Sequence, residues 1–291
     1  MFNKIQSVKF DTSQPLKFSS DLTPPESVSI FSDSSVKEKT ELTKAEKKAL
    51  KEAEKQERNR IKNEPDGVIQ GGKQGSTAGD CWLLAQINSM ASTSWGKEVF
   101  KDAITKKEDG NYVVHFKGVG EDVEVSADEF KSAKRSSYYS DGDADPILFE
   151  VAVEKYFKSK NLNNGSIYGN DLAGEDSLQY LMTGSKGRQT NVKEQYEPIL
   201  KVMGSNPDNA GVSATYIYYD HSQGPNGTSH AVSVQKVILD EKGEVKEVEL
   251  LDSYRPKSPY KVSYKRFTND LQNFGFVTTP KAYRNSEKVS E

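Results

Sequence analysis

The spacing of apolar residues separates a polar N-terminal part from a more apolar remainder. Residues 1–35 are rich in Ser, Asp, Thr and Pro, and such a stretch buries too little apolar surface to offset the entropy of ordering it. Residues 36–63 are dense in Lys and Glu, and Thr43 with Glu46 predicts a capping box that opens a helix. The apolar stripe of this helix is thin, so we expect the helix to be exposed along most of its length.

From residue 67 onward the pattern is typical of a globular protein. Helices are predicted where apolar residues recur at three- and four-residue spacing, and strands where they alternate with polar ones. The first part is mainly helical and the second mainly β, with a hairpin turn at residues 240–243. The predicted helices are residues 81–94, 146–159, 175–182 and 192–203, and the predicted strands are residues 111–116, 122–125, 212–219, 230–239 and 246–251.

These patterns predict three segments. Residues 1–65 form a disordered and charged-helix arm, residues 66–205 a mainly helical lobe, and residues 206–291 a β-rich lobe. The arm is interpreted as a charged linker helix, with a removable pro-segment or a partner-binding arm as the alternatives.

Composition excludes some function classes. With 40 basic and 43 acidic residues among 291, the net charge of −3 is too small to indicate a nucleic-acid partner or a membrane surface. One cysteine allows no intrachain disulfide, which fits a reducing compartment or an exported protein without disulfides. Neither a secretory signal nor a long apolar run is evident, so we expect no membrane span, and a protein that is cytoplasmic or exported without a signal peptide. The oligomeric state is not indicated.

The context of Cys81 favours catalysis over burial as a small hydrophobe. A glycine-containing loop, residues 74–80, leads into it, and the apolar residues Trp82 and Leu83 follow. The loop thus delivers the thiol to the N-terminus of an apolar helix, whose dipole favours the thiolate. Because the thiolate is the nucleophilic form, Cys81 is the candidate nucleophile.

A thiolate nucleophile needs a nearby imidazole, and the chain has three histidines. His115 falls inside a predicted strand and is interpreted as a packed or half-exposed strand residue. His221 lies in a turn rich in Ser, Gly, Pro and Asn and is interpreted as a surface loop residue. His230 follows a glycine-containing loop and begins a predicted strand, where a side chain is held rigidly and can point into a cleft. His230 is therefore the best candidate base.

The imidazole must in turn be oriented, and the reaction intermediate needs hydrogen-bond donors. Asp252 ends the strand that follows that of His230, and the hairpin could bring the two together. Gln74 could donate its side-chain amide beside the backbone N–H of Cys81. Taken alone, Asp252 is also an ordinary strand-ending turn residue, and Gln74 an ordinary solvated loop residue.

At this point the sequence resembles the calpain family of cysteine peptidases. Four blocks carry the resemblance in the family's order, over roughly residues 67–280. The separation of 149 residues between Cys81 and His230 also matches the long spacing of papain-like enzymes. The blocks are QGSTAGDCWLLAQINSMA, PILFEVAVEKYFKSKN with the following GSIYGNDLAGEDSLQYLMTG, GTSHAVSVQKV, and VELLDSYRP.

The resemblance implies an α+β, papain-like fold of two lobes, with the nucleophile in the helical lobe and the histidine in the β-rich one. It implies endopeptidase activity on protein substrates by a stand-alone catalytic core, which we expect to be microbial. Carried over to this sequence, Cys81 is the nucleophile, His230 the acid and base, Asp252 the orienting residue and Gln74 the oxyanion donor. The chemistry requires no cofactor.

The sequence departs from the family pattern in three respects. Asp252 stands where Asn is usual, and Tyr254 where Trp usually shields the contact with histidine. Gln74 precedes Cys81 by seven residues, where the family uses six. Calcium ligands of animal calpains cannot be laid onto this chain, and residues 141–145 lack the complete twelve-residue calcium loop, so calcium dependence stays open.

Three functions are compared on these grounds. The first is a calpain-like cysteine endopeptidase, which could also cut its own N-terminal arm because residues 1–65 look accessible. The alternatives are an amidase or transamidase on a papain-like scaffold, and a catalytically inactive binding module. The complete set of Cys, His and acid favours an enzyme, since a binding role does not require those side chains together.

Overall fold

The computed structural model describes residues 43–77, 79–170, 174–206, 212–218 and 229–277. By its internal contacts the chain divides into two units, Met1–Lys47 and Lys48–Glu291. Residues 43–47 are the described part of the first unit. The disorder predicted for residues 1–35 therefore lies outside the described residues.

The charged helix predicted for the arm is α1, Lys44–Asn63. Thr43 donates its backbone N–H to Glu46 Oε2 at 2.7 Å, and Glu46 donates its own to Thr43 Oγ1 at 3.2 Å, which confirms the predicted capping box. None of its residues is buried, as expected from the thin apolar stripe. The helix is therefore held by its cap and by local charge pairs rather than by a packed face.

Helices and strands alternate through the second unit. Each helix and strand predicted from residue 81 onward is present, usually within a few residues of its predicted ends, and several shorter elements are additional to the prediction. In chain order they are α2 (Cys81–Ala91), α3 (Ser94–Lys101), β1 (Ile104–Lys106), β2 (Tyr112–Phe116), β3 (Glu121–Val125), α4 (Ala127–Ala133), α5 (Ala144–Lys160), α6 (Leu178–Thr183), β4 (Arg188–Thr190), α7 (Lys193–Ser205), β5 (Val212–Tyr218), β6 (Ser229–Leu239), β7 (Val245–Leu251), β8 (Tyr260–Ser263), α8 (Tyr264–Asp270) and β9 (Leu271–Val277).

The strands form two antiparallel sheets. One has three strands in the order β1-β2-β3, and the other has six in the order β4-β9-β5-β6-β7-β8. Strands β6 and β7 form the predicted hairpin, whose turn is closed by Asp240: its Oδ1 accepts the backbone N–H of Lys242 at 2.8 Å and of Glu244 at 2.9 Å. This hairpin carries His230 near its start and delivers the chain to Asp252 directly after its end.

Two clusters of buried apolar side chains underlie the sheets. The first gathers around α2, α5 and the three-stranded sheet, and the second lies between the six-stranded sheet and helices α7 and α8. Ala231 of β6 belongs to the first cluster, and Gln235 of the same strand donates its Nε2–H to the backbone oxygen of Asn88 in α2 at 3.3 Å. Helix α2 therefore packs against the strand that carries His230.

The mixture of helices and antiparallel sheets is that of an α+β protein, as predicted. The predicted division at residues 205 and 206 stays a prediction. Tyr196 and Leu200 of α7, which precede that division, are buried in the second apolar cluster.

Candidate active site

Cys81 is the first residue of α2 and is half-buried. The next three residues, Trp82, Leu83 and Leu84, are at most 1% exposed, so the helix is anchored immediately behind the thiol. Gly79 has φ +60°, and a Cβ atom there would lie 2.5 Å from the ring of Tyr168. The positive φ and the nearby ring both favour glycine at this turn into the helix.

His230 and Asp252 form a buried pair at the end of the β6–β7 hairpin. His230 Nε2 lies 2.8 Å from Asp252 Oδ1, and the two side chains are 6% and 7% exposed. Asp252 Oδ1 also accepts the backbone N–H of Tyr254 at 2.8 Å. The ring of Tyr254 stacks on the imidazole, with the ring centroids 4.8 Å apart and the planes at 12°. The tyrosine thus occupies one face of the imidazole, and the carboxylate fixes its rotation.

The imidazole of His230 also forms a hydrogen bond with Cys81. Burial of the ring lowers the pKa of His230, but hydrogen bonds with Asp252 and Cys81, together with their charges, outweigh burial and raise it to about 9. Burial raises the pKa of Asp252. The contact with His230 and the hydrogen bond from the N–H of Tyr254 lower it by more, so the net pKa is below the ordinary value. Both directions favour an imidazolium beside a carboxylate.

Gln74 is buried beside the residue that follows Asp252. Its side-chain oxygen Oε1 accepts the hydroxyl of Ser253 at 2.8 Å, and its backbone N–H donates to the backbone oxygen of Ser253 at 3.0 Å. Since a hydroxyl donor is satisfied by the amide oxygen, the amide nitrogen Nε2 remains as a donor. The loop before Cys81 and the segment after β7 are therefore joined at Gln74.

A pair of buried acids lies directly behind the nucleophile and was not predicted from the sequence. Asp80 and Glu150 are both 0% exposed. Glu150 accepts the backbone N–H of Ser140 at 2.9 Å and its hydroxyl at 2.7 Å. Apart from the Glu150 carboxyl group, no N–H or O–H donor of another described residue satisfies an oxygen of Asp80.

Two carboxylates cannot hydrogen-bond to each other unless one carries a proton. Burial first, and then the charge and hydrogen bond of Asp80, raise the pKa of Glu150 well above its ordinary value. Burial likewise raises the pKa of Asp80. We therefore assign one shared proton to the pair, with Glu150 as its main holder. The sequence signal was a glutamate in the middle of the apolar run PILFEVAV of α5.

The aspartates of residues 141–145 bind backbone rather than arrange a calcium loop. Asp145 Oδ1 accepts the N–H groups of Asp66 and Gly67 at 2.9 and 2.7 Å, and Asp143 Oδ2 accepts that of Gln70 at 2.5 Å. Burial, followed by the charge of Asp143, raises the pKa of Asp145 to about 8. Through these hydrogen bonds the two side chains fix the chain that leads to Gln74.

His115 contacts neither Cys81 nor His230 among the contacts of the described residues. His115 is half-exposed in β2, where Nδ1 lies 2.7 Å from Asp122 Oδ1 and Nε2 lies 2.9 Å from Thr105 Oγ1. It is thus a half-exposed strand residue, as interpreted from the sequence. His221 lies outside the described residues.

Among the residues that the structure describes, no group of three or more His, Cys, Asp or Glu side chains could hold a metal ion. No helix in the described ranges is long and apolar enough to cross a bilayer.

No curated protein matches the chain. The sequence profile described as calpain family cysteine protease matches residues 18–242, a range that includes Gln74, Cys81 and His230 and stops before Asp252. The match covers more than half of the chain and begins within the N-terminal arm. The chain therefore belongs to the calpain family of cysteine proteases.

Proposed function

We propose that the chain is a cysteine endopeptidase that hydrolyses peptide bonds in protein substrates through the thiolate of Cys81. The observation that carries the proposal is the buried series of hydrogen bonds from Asp252 through His230 to Cys81. A pure binding surface does not require these three side chains in contact. Membership of the family supports the reaction class, and the residue roles are assigned here from geometry and chemistry.

The proton positions follow from the donors and acceptors. An ionised carboxylate can only accept, so His230 donates its Nε2–H to Asp252 and has Nδ1 left for Cys81. With a pKa of about 9, the imidazole holds its proton at neutral pH. We therefore propose a resting His230 imidazolium that faces Cys81, where its positive charge favours the thiolate form of the nucleophile.

Acylation begins when the thiolate attacks the carbonyl carbon of the scissile peptide bond. A carbon–sulfur bond forms, and the carbonyl electron pair moves to oxygen to give a tetrahedral oxyanion. His230 then gives its Nδ1 proton to the leaving amine as the carbon–nitrogen bond breaks. The products are the free amine and a thioester on Cys81, and the imidazole is now neutral.

Deacylation reverses the role of the imidazole. Neutral His230 takes a proton from a water molecule, whose oxygen attacks the thioester carbon. The second tetrahedral oxyanion collapses, the carbon–sulfur bond breaks, and the carboxylic acid product is released. The acid then gives up its proton to the surroundings. The thiolate and the imidazolium are restored. Asp252 stays ionised throughout and stabilises the charged imidazole.

The oxyanion is stabilised by two donors in this proposal. One is the side-chain Nε2–H of Gln74, which is available because Ser253 binds the amide oxygen. The other is the backbone N–H of Cys81 at the start of α2, where the helix dipole adds to the field.

We assign the two apolar clusters to the two lobes of a papain-like fold. The first cluster supports Cys81 through α2, and the six-stranded sheet supports His230 and Asp252. A substrate would bind where α2 meets β6. Calcium enters no step of this mechanism, although regulation by calcium is compatible with the family.

The arm is a candidate self-processing substrate. Helix α1 has no buried residue, so its peptide bonds become accessible on local unfolding. Cleavage in residues 1–65 by Cys81 would remove the arm from the remainder of the chain. Because the enzyme and this substrate are one chain, the proposal is testable with purified protein.

The test compares wild type with Cys81→Ala, followed by intact mass over time and by cleavage of casein, with and without calcium. Wild type is expected to cleave casein and to lose part of its arm, whereas the variant does neither and keeps the wild-type circular dichroism spectrum. The removed sulfur is the nucleophile, so the loss should be complete within detection.

Casein cleavage that persists in folded Cys81→Ala would contradict the proposal. Release of ammonia without new peptide ends would instead identify an amidase or transamidase. The paired calcium samples measure calcium dependence directly.

A further inference from the structure

A pocket of about 440 Å³ opens beside the loop that leads to the nucleophile. Residues 73–76 form one wall, and residues of the segment 134–141 form the other. Gln74, the assigned oxyanion donor, is part of the first wall. Whatever enters this pocket therefore lies beside the residue assigned as the oxyanion donor.

The two walls are joined by backbone hydrogen bonds, so the pocket is present before any substrate binds. Lys73 and Asp141 exchange N–H donors and backbone oxygens at 2.7 and 2.8 Å, and the N–H of Ser76 donates to the backbone oxygen of Ser137 at 3.0 Å. Gly75 is pressed against the opposite wall, since a Cβ there would lie 2.3 Å from the backbone oxygen of Tyr138. A fixed pocket loses little entropy on binding.

The charges that line the pocket are mainly positive. Lys73, Lys134 and Arg135 line it, against Asp141 as the one carboxylate among its lining residues. Among the described residues neither Lys73 nor Arg135 forms an ion pair, and both side chains are exposed. The ammonium of Lys134 donates to Asn63 Oδ1 at 2.5 Å, so it adds charge but has a partner already.

The remaining lining residues are Gly75, Tyr139 and several serines, besides Gln74. The hydroxyls of Ser76 and Ser136 lie on opposite walls. A guanidinium binds a carboxylate through two parallel N–H donors, and hydroxyls can complete its hydrogen bonding. The pocket thus offers a carboxylate both charge and hydrogen-bond donors.

We propose that this pocket is a substrate subsite for an acidic side chain, Asp or Glu, close to the scissile bond. The proposal rests on the proposed peptidase function and adds the substrate class to it. An extended peptide advances about 3.3 Å per residue, so a side chain in a pocket lined by Gln74 belongs to one of the residues nearest the cleaved bond. Lys73 and Arg135 are the residues that determine this specificity.

The binding test does not depend on cleavage. Two sets of fluorescent decapeptides are used, one with a single Glu at each position in turn and a matched set with Gln. Binding to the full-length Cys81→Ala protein is measured by fluorescence polarisation. Glu at one position should bind about tenfold more tightly than Gln, the scale of one charge-assisted hydrogen-bonded contact. Added salt should reduce the difference.

Two double variants in the Cys81→Ala background locate the effect. Lys73→Gln with Arg135→Gln should abolish the preference for Glu. Lys97→Gln with Lys131→Gln removes the same charge from exposed positions that do not line the pocket, and should retain it. Equal binding of the Glu and Gln sets, or a preference that survives the first double variant, would overturn the proposal.

The same substitutions in the active protein connect binding to cleavage. The ratio of kcat/KM for the Glu and Gln peptides should fall about tenfold in the pocket variant and stay unchanged in the control. Loss of the proposed function is recognised separately, as casein cleavage that does not depend on Cys81. The binding experiment decides the subsite in either case.

Discussion

The two sides of the candidate active site are held in place by different forces. On the nucleophile side, Cys81 begins a helix whose next residues are fully buried. Asp80 and Glu150, behind Cys81, are also buried and share the assigned proton. On the base side, His230 is held by a carboxylate and a stacked ring at the end of a hairpin. Packing fixes the nucleophile, and directed polar contacts fix the base.

This difference teaches where each kind of substitution should have its effect. Changes to the polar contacts of the base should alter the pH dependence of activity, because they alter the pKa of His230. Changes to the buried groups behind the nucleophile should alter stability, because they alter the cost of burial. Gln74 and Ser253 connect the two sides, so substitutions there should alter the chemical step itself.

The largest effect is expected for Gln74→Ala. Removal of one oxyanion donor should lower kcat by about 10²- to 10³-fold and leave KM nearly unchanged, because the donor acts mainly in the transition state. Ser253→Ala keeps the donor but frees its amide to rotate, and should cost about fivefold to tenfold, the scale of one neutral hydrogen bond. Both values are measured on a fluorogenic peptide.

An unchanged kcat in folded Gln74→Ala would exclude Gln74 from the oxyanion site. A loss for Ser253→Ala as large as that for Gln74→Ala would show that the serine acts on more than the orientation of the amide.

A smaller effect, confined to high pH, is expected for Asp252→Asn. In wild type the activity should fall as pH rises through about 9, where His230 loses its proton. Asn keeps an acceptor for Nε2–H but removes the charge that raises the pKa of His230, so the alkaline limb of kcat/KM should move to lower pH. The measurement is a pH profile of kcat/KM between pH 5 and pH 10.

The same pair contributes to stability with a definite sign. The raised pKa of His230 stabilises the folded state fully below about pH 6.5, the ordinary pKa of histidine. This contribution is lost as the pH rises through about 9. The lowered pKa of Asp252 stabilises the folded state at pH values above the ordinary pKa of an aspartate. This contribution is lost as the pH falls through the pKa that Asp252 has in the folded state. Asp252→Asn weakens both contributions.

An alkaline limb of the kcat/KM profile that does not move in Asp252→Asn would contradict the assigned role of Asp252.

The smallest effect on activity is expected for Glu150→Gln, whose effect is on stability. The raised pKa of Glu150 means that its contribution to stability is present below the ordinary carboxyl range and is lost as pH rises. The neutral amide of the variant cannot titrate, so this loss is absent. In wild type the loss is at most about 1.4 kcal/mol of unfolding free energy per pH unit for one proton. Urea unfolding at pH 6 and pH 9 should show a smaller decrease in the variant.

Glu98→Gln, at an exposed position of α3, is the matched control and should keep the wild-type pH dependence. A decrease in Glu150→Gln as steep as in wild type would show that the buried pair holds no proton to lose.

Periodicity predicted the elements with a long or strongly alternating apolar pattern. Helices α2 and α5 and strands β5, β6 and β7 are of this kind. Strand β9 was not predicted, although it lies between β4 and β5 in the sheet. Its pairing joins distant segments, and its glycine-containing sequence LQNFGFV alternates only over its last residues, which does not distinguish it from a loop.

The candidate site was predictable where one local pattern carries the chemistry, as at Cys81. The contact of Gln74 with Ser253 was not predictable, because it joins residues far apart in the chain through a serine of unremarkable context. Glu150 was missed for another reason: a charged residue is ordinarily exposed, and its burial depends on a proton that the sequence does not display.

The most direct test of the account is the alkylation rate of Cys81 by iodoacetamide across pH, in wild type and in His230→Ala. Cys81 is the one cysteine of the chain, so a thiol adduct located by peptide mapping reports on it alone. At pH 6, where a free thiol is almost wholly protonated, wild type should react about a hundredfold faster than the variant. Equal rates in the two proteins, both rising with pH as for a free thiol, would contradict the proposed pairing of Cys81 with His230.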